Sequence, residues 1–394
     1  TEMESFYRTH AYLVEHTNAP VRRDLMDEID WSDRLIGIKG TRGVGKTTFL
    51  LQYAKEKFGT DRSCLFINMN NFYFSGHSIV DFANEFQKRG GKVLLIDQVF
   101  KHPEWSKELR MCYDRYPNLK IVFTGSSVMR LKEENLELRD IAKSYNLRGF
   151  SFREFLNLQT GMKFRAYSLE EILSTHEQIA KGVLSKVRPL DYFQDYLHHG
   201  FYPFFLEKRN FSENLLKTMN MMVEVDILLI KQIELKYLSK IKKLLYLLAV
   251  DGPKAPNVSQ LASDIQTSRA TIMNYIKYLA DARLINLVYP KGEEFPKKPS
   301  KIMMHNSNLM YSIYPVKVEE QDVLDTFFVN TLWKDHKVHK GDKNVSFMVD
   351  EVMPFKICAE GAKIKNNPDV TYALQKAEIG RGNQIPLWMF GFLY

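Results

Sequence analysis

Cysteine is scarce: three residues in 394, Cys64, Cys112 and Cys358. Their odd number and wide spacing exclude a disulfide framework and give no metal-ligand pattern, so buried small hydrophobes in a reducing cytoplasm are expected. No apolar run approaches the roughly 18 residues of a membrane helix, and no membrane partner is expected. The opening TEMESFYRTHAYLVEH lacks the basic and apolar regions of a signal peptide, which again points to the cytoplasm. Ten histidines occur without an H-E-x-x-H motif or a Cys/His cluster, so metalloprotease chemistry has no support. Internal repeats and low-complexity segments are also missing. What is present is ordinary in bulk: 45% hydrophobic and 26% charged residues, an average globular balance that excludes disorder. The length suits about two to three domains.

The net charge of +8 is unevenly spread. Residues 236–305 hold 12 Lys/Arg against 5 Asp/Glu, whereas the other 324 residues hold 43 against 42. Nearly all of the excess therefore lies in one 70-residue stretch, which reads either as a polyanion-binding surface or as a solvated basic face.

The first 150 residues alternate in the α/β manner. Apolar runs at 35–38, 64–69, 92–96 and 119–123 predict strands, and 47–58, 78–89 and 104–116 predict helices, with Ile79, Phe82, Ala83 and Phe86 on one face of the second. This alternation implies right-handed crossovers and a parallel sheet covered on both sides.

Between the first strand and the first helix stands Gly40-Thr41-Arg42-Gly43-Val44-Gly45-Lys46-Thr47, a complete G-x-x-x-x-G-K-[ST] motif in the required setting, followed by Thr48. Its glycines let backbone amides turn toward phosphates. Lys46 adds a point charge and Thr47 a hydroxyl for Mg²⁺. The helix that follows directs its positive end at the same anion. ATP and Mg²⁺ are the expected ligands. A second half of the site follows from Val93-Leu94-Leu95-Ile96-Asp97, an apolar strand ending in an acid placed to hold Mg²⁺ through water. Next comes Gln98, where an ATPase of this type carries a glutamate. An amide can hold a water but cannot accept its proton, so Gln98 suits nucleotide retention better than turnover. Either it is a natural nucleotide-holding variant or a glutamate has been replaced; the intact surroundings favour replacement. On the next strand Thr124 and Ser126 read either as γ-phosphate sensors or as a strand-terminating turn.

Residues 236–304 read as three helices and a β-hairpin. The first spans 238–250. The second carries Leu261, Ala262 and Ile265, with Asn257 or Ser259 as its cap, and the third spans 269–282. A hairpin pairing 285–289 with 301–304 follows, around a Gly-, Pro- and Lys-rich turn. This is the order of a winged helix-turn-helix, whose recognition helix enters the major groove N-terminus first. It would present Arg269, Thr271, Asn274 and Lys277 to DNA, with Lys297, Lys298 and Lys301 near phosphates. Winged helices also serve protein contacts, and that reading stays open.

Lys88-Arg89-Gly90-Gly91-Lys92 leading into Asp97, His102-Pro103-Glu104-Trp105, Thr124-Gly125-Ser126-Ser127, the segment 149–156 and the closing segment 385–394 together carry a family likeness. The chain resembles, over nearly its whole length, the prokaryotic AAA-type (AAA+) ATPases of archaeal and Bacteroidetes type, which add a winged helix and a C-terminal restriction-endonuclease-like domain. The resemblance implies a P-loop NTPase core at 1–150, a helical lid at 151–235, a winged helix at 236–304 and an α/β nuclease-like domain at 305–394. It also implies a homo-oligomer, such as a hexameric ring, in which an arginine of one subunit completes its neighbour's site. Arg139 is the first choice, with Arg130 and Arg148 as alternatives. Asp325 keeps the helix acid of the nuclease pattern. Val345-Ser346-Phe347 lacks its aspartate and Phe355-Lys356 lacks its glutamate, so two-metal cleavage is not expected. The expected function is a DNA-binding ATPase that remodels or translocates duplex or branched DNA. A nucleotide-dependent signalling switch is the alternative.

Overall fold

Apolar runs and amphipathic helices alternate through the first third of the chain and build a parallel sheet. The computed structural model describes residues 2–394. It divides into two compact units, 1–149 and 150–394. In the first, helix α1 (Glu2–Glu15) precedes β1 (Leu35–Gly40), α2 (Lys46–Lys57), β2 (Cys64–Asn68), α3 (Ile79–Lys88), β3 (Val93–Asp97), α4 (Trp105–Arg115), β4 (Lys120–Ser126) and β5 (Lys143–Asn146). The strand order is β2-β3-β4-β1-β5, parallel throughout.

The inner strands are buried along nearly their whole length, as a sheet covered on both faces requires. The sequence reading anticipates four of these strands within a few residues. It leaves out β5, whose Lys-Ser-Tyr-Asn run is polar and mostly exposed because it lies at an edge. It also leaves out α1, which buries Met3, Phe6, Tyr7, His10 and Val14. His10 accepts a hydrogen bond from the Phe66 amide of edge strand β2 at 2.9 Å. Burial pushes its imidazole down to about 4, so the ring stays neutral and able to accept.

The second unit opens with α5 (Phe152–Thr160), α6 (Leu169–Leu184) and α7 (Leu190–His199). The first two start with reciprocal capping boxes, Ser151 with Glu154 and Ser168 with Glu171. Helix α8 (Phe211–Met221) runs into a π-helical turn over Met222–Ile227. Then come α9 (Leu238–Asp251), α10 (Val258–Ile265), α11 (Arg269–Asp281) and an antiparallel pair, β6 (Ile285–Val288) with β7 (Lys301–Met304). The unit ends with α12 (Ser307–Ile313), α13 (Glu320–Leu332) and a mixed sheet ordered β12-β11-β10-β9-β8. Its strands are β8 (Val338–Lys340), β9 (Phe347–Val349), β10 (Met353–Cys358), β11 (Thr371–Leu374) and β12 (Gln384–Pro386).

One core joins segments that the sequence reading assigns to a lid and a separate tail domain. Phe193 of α7 meets Phe327 of α13 edge-on at 5.0 Å, and Phe152 packs against Phe392. Arg153 Nε donates to the Tyr394 carbonyl at 3.0 Å. Contacts of this kind join residues more than 100 positions apart, which local periodicity cannot register. Phe328, wholly buried, is ringed by Phe347, Phe355 and Phe390. Phe328→Ala is expected to lower unfolding stability by about 3–5 kcal/mol, read as a shift in the urea midpoint at pH 7.

Candidate nucleotide site and the basic segment

The motif loop leaves β1 and enters α2 by way of two glycines in the left-handed region, Gly43 at φ 88° and Gly45 at φ 100°. A side chain at either position would be strained. Most of the loop's carbonyls have identified partners. Gly40 O accepts from the Ser127 amide at 3.2 Å and from Lys46 Nζ at 2.5 Å. Thr41 O accepts from Lys46 Nζ at 3.0 Å. Val44 O accepts from Arg23 at 3.0 Å, and the same guanidinium donates to the carbonyls of Arg148 and Gly149. Thr41 and Val44 are buried, Arg42 is half-buried, and Thr47 and Thr48 lie exposed at the start of α2.

Asp97, 1% exposed at the end of β3, receives two hydroxyls. Thr47 Oγ1 donates to its Oδ2 at 2.6 Å and Thr124 Oγ1 to its Oδ1 at 2.5 Å. Thr124 also accepts the amide of Gln98 at 2.9 Å. The structure thus links Thr47, Asp97, Thr124 and the Gln98 backbone by hydrogen bonds, with Lys46 beside Thr47 in the chain. Oxygen donors of Thr47 and Asp97 are a suitable pair for a hard divalent cation that takes its remaining ligands from phosphate and water. Gln98 adopts φ 52°, an uncommon backbone for a residue other than glycine.

The two hydroxyls read either as phosphate sensors or as a turn both have protein partners. Thr124 positions Asp97 and the Gln98 backbone, and Ser126 Oγ accepts from the Val128 amide at 3.1 Å, the turn alternative. Ser127, which the sequence reading does not single out, has a buried Oγ without a protein partner among the described residues. Arg23 carries no motif signal, and Ser127 stands in a family string that does not announce its contact with the loop; both reach the loop through tertiary folding. Arg139 is exposed, its Nε bonded to the Lys132 carbonyl at 2.9 Å. It lines a cleft with Lys39, Lys132 and Lys143. Arg130 lies 3.9 Å from Glu133.

In the basic segment Asn257, not Ser259, caps α10, accepting from the Gln260 amide at 3.0 Å. Ser268 caps α11 through the Thr271 amide, which makes half-buried Thr271 part of the helix start. Arg269, Asn274, Lys297 and Lys298 are exposed; Arg269 reaches Ser259 and Lys297 lies 3.7 Å from Glu293. Two expected DNA contacts point elsewhere. Lys277 pairs with Asp281 at 3.1 Å, and Lys301 lies over the Phe347 ring at 5.5 Å. Lys277 is held by an acid four residues on in its own helix and lies 5.7 Å from the Phe295 ring, whereas Lys301 meets an aromatic face from another element.

Asp325 on α13 is 8% exposed, and Gln321 Nε2 donates to it at 2.9 Å. Burial pushes its carboxyl up to about 6. Asp350 is committed to His336 at 2.6 Å.

Residues 32–156 match the model of a family described as an AAA domain, and residues 190–317 match a domain of unknown function. An uncharacterized protein of Methanocaldococcus jannaschii is 30% identical over 274 residues, 66% of this chain and 57% of the relative. A second from the same organism is 27% identical over 267 residues, 64% of this chain and 55% of the relative. The chain therefore spans little more than half the length of these relatives. The Aeropyrum pernix ORC1 protein in complex with DNA is a structural neighbour at 10% identity and TM-score 0.29, with 78% of this chain and 91% of that one covered. Residues 32–156, which match the AAA domain model, carry the parallel sheet and the complete phosphate-loop motif together. Among the described residues no helix is long and apolar enough to cross a membrane.

The raised Asp325 carboxyl sets a pH signature. Because its folded pKa lies above the unfolded value of 3.8, stability is highest below 3.8 for this group and falls as pH rises toward about 6. Asp325→Asn is expected to raise stability by about 1–3 kcal/mol at pH 7.5 and by little at pH 4, measured by chemical denaturation at both pH values.

Proposed function

We propose that the chain is a Mg-ATP-dependent, DNA-binding AAA+ ATPase that couples nucleotide state to rearrangement of a homo-oligomer, such as a hexameric ring, and so remodels or moves duplex or branched DNA. The observation that carries the nucleotide half is the convergence of Lys46, Thr47 and Asp97 at the end of the parallel sheet, with Thr47 Oγ1 and Asp97 Oδ2 2.6 Å apart. The loop amides and Lys46 would bind the β- and γ-phosphates. Thr47 and Asp97 would hold Mg²⁺, which neutralises phosphate charge when bound. Gln98 would orient the attacking water without taking its proton, which leaves this form slow in hydrolysis. Arg139 from a neighbouring subunit is the proposed source of positive charge in the transition state.

The DNA half is supported by the concentration of 12 basic residues in 236–305 and by the order of three helices and a hairpin there. In this reading residues 236–304 form a winged helix, 151–235 a helical lid and 305–394 a nuclease-like fold without cleavage. Arg269 and Asn274 at the exposed start of α11, with Lys297 and Lys298 on the hairpin loop, are the contacts that the geometry favours. Most would reach phosphates, so affinity should fall steeply with salt. One observation favours the second reading, a signalling switch that retains nucleotide: the residue beside Asp97 is an amide.

The test is ATP turnover by the unsubstituted chain and by Gln98→Glu, with and without linear and four-way-junction DNA, over a salt series. Gln98→Glu is expected to hydrolyse ATP about 10²-fold faster, and DNA to stimulate it further at low salt. Tight nucleotide retention with turnover indifferent to DNA would replace the motor by the switch. Lys46→Ala is expected to abolish nucleotide binding in either case.

A further inference from the structure

We propose that Arg23 is a positioning residue that shapes the phosphate-binding loop from outside; this rests on the nucleotide-binding reading above and adds to it a residue that lies outside the motif. The peptide linking Val44 to Gly45 is planar and trans, so its carbonyl and its N–H point in opposite directions. Arg23 Nη1 holds the Val44 carbonyl at 3.0 Å. The Gly45 N–H is thereby turned away from Arg23, to the opposite side of the loop. Gly45 at φ 100° has little intrinsic preference to keep that orientation, since glycine visits many backbone states. An external clamp removes this freedom before an anion arrives.

The clamp is itself anchored. Arg23 Nη2 donates to the carbonyls of Arg148 and Gly149, beyond the end of β5. The rigid guanidinium fork therefore ties the loop to a second stretch of backbone with one side chain, a geometry that a single ammonium cannot reproduce. The segment that carries Arg23 is fixed from its other end. Its carbonyl accepts the Met26 amide at 3.0 Å, Met26 O accepts Trp31 Nε1 at 2.8 Å, and the Trp31 ring stacks on Tyr53 of α2 at 3.9 Å. Arg22, its neighbour, faces Asp27 and Glu56 and makes none of these contacts.

Lys46 differs in kind from this clamp. It holds Gly40 O and Thr41 O through the amine that a triphosphate would recruit. Arg23 places three hydrogen bonds on backbone carbonyls, and these act on orientation. Loss of Arg23 should therefore weaken ligands that bear β- and γ-phosphates and spare those that do not.

The experiment is calorimetric titration of the full chain with Mg-AMP-PNP, Mg-ADP and AMP, together with thermal unfolding of the ligand-free protein. Arg23→Ala is expected to weaken AMP-PNP and ADP by about tenfold or more and leave AMP within about twofold, with a lowered ligand-free unfolding midpoint from the carbonyls it unpairs. Arg22→Ala should match the unsubstituted chain. Unchanged AMP-PNP affinity in Arg23→Ala, or equal weakening of all three ligands, would overturn the proposal. Should Arg23→Ala fail to fold, Arg23→Lys decides: a selective loss for AMP-PNP and ADP supports the fork, and unchanged affinity overturns it. If the unsubstituted chain binds none of the three, the nucleotide-binding reading itself falls, and the proposal with it.

Discussion

A backbone loop can offer its amides to an anion only if its carbonyls are occupied elsewhere. A free carbonyl would point its own negative end at the phosphate, and an unpaired one would be costly to bury. In this chain part of that requirement is met before an anion arrives, and the Phe49 amide takes Gly45 O as well. The Ser127 amide and Lys46 take Gly40 O, Lys46 takes Thr41 O, and Arg23 takes Val44 O. The loop is thereby pre-shaped from both flanks and from a segment far upstream. Catalytic and binding geometry depends on such pre-organisation, since a group that must be ordered on binding loses affinity to that ordering.

The second constraint is the placement of Asp97. A carboxylate 1% exposed needs several donors, and the structure gives it the hydroxyls of Thr47 and Thr124. Thr124 spans two roles at once: it fixes the acid and, by accepting the Gln98 amide, it fixes the backbone of the following residue. The side chain beside the acid is consequently held in register with the loop whatever its chemistry. An amide there keeps the backbone geometry but cannot accept a proton.

The basic segment shows why total charge is a coarse guide to a binding face. Lys242 pairs with Glu224 at 2.5 Å and Lys236 with Glu234 at 3.3 Å, and both acids lie before the segment begins. Lys277 and Lys301 are occupied by Asp281 and Phe347. Exposed ion pairs are weak and exchange readily, so the outer lysines remain available to a polyanion, while the two inward ones do not. Lys243, Lys254 and Arg283 also stay outward, besides Arg269 and the lysines of the hairpin loop.

Local physics made much of this protein legible from its sequence. Four of the five strands of the nucleotide-binding sheet, the helices between them, the phosphate loop and Asp97 all follow from apolar runs, helical spacing and a motif whose residues are neighbours in the chain. Edge strand β5 did not announce itself, because a polar strand at a sheet margin has no hydrophobic period to read. The roles of Thr124 and Lys301 were equally out of reach, since each is set by a partner remote in the chain, Asp97 and Phe347. The same holds for the shared core of 150–394, where Phe193 meets Phe327 and Arg153 meets Tyr394. Above all, the sequence determined that a phosphate loop exists, through glycines whose backbone freedom is intrinsic. Only the tertiary structure decided how that freedom is used, by bringing Arg23, Ser127 and Thr124 to backbone and side-chain atoms remote in the chain.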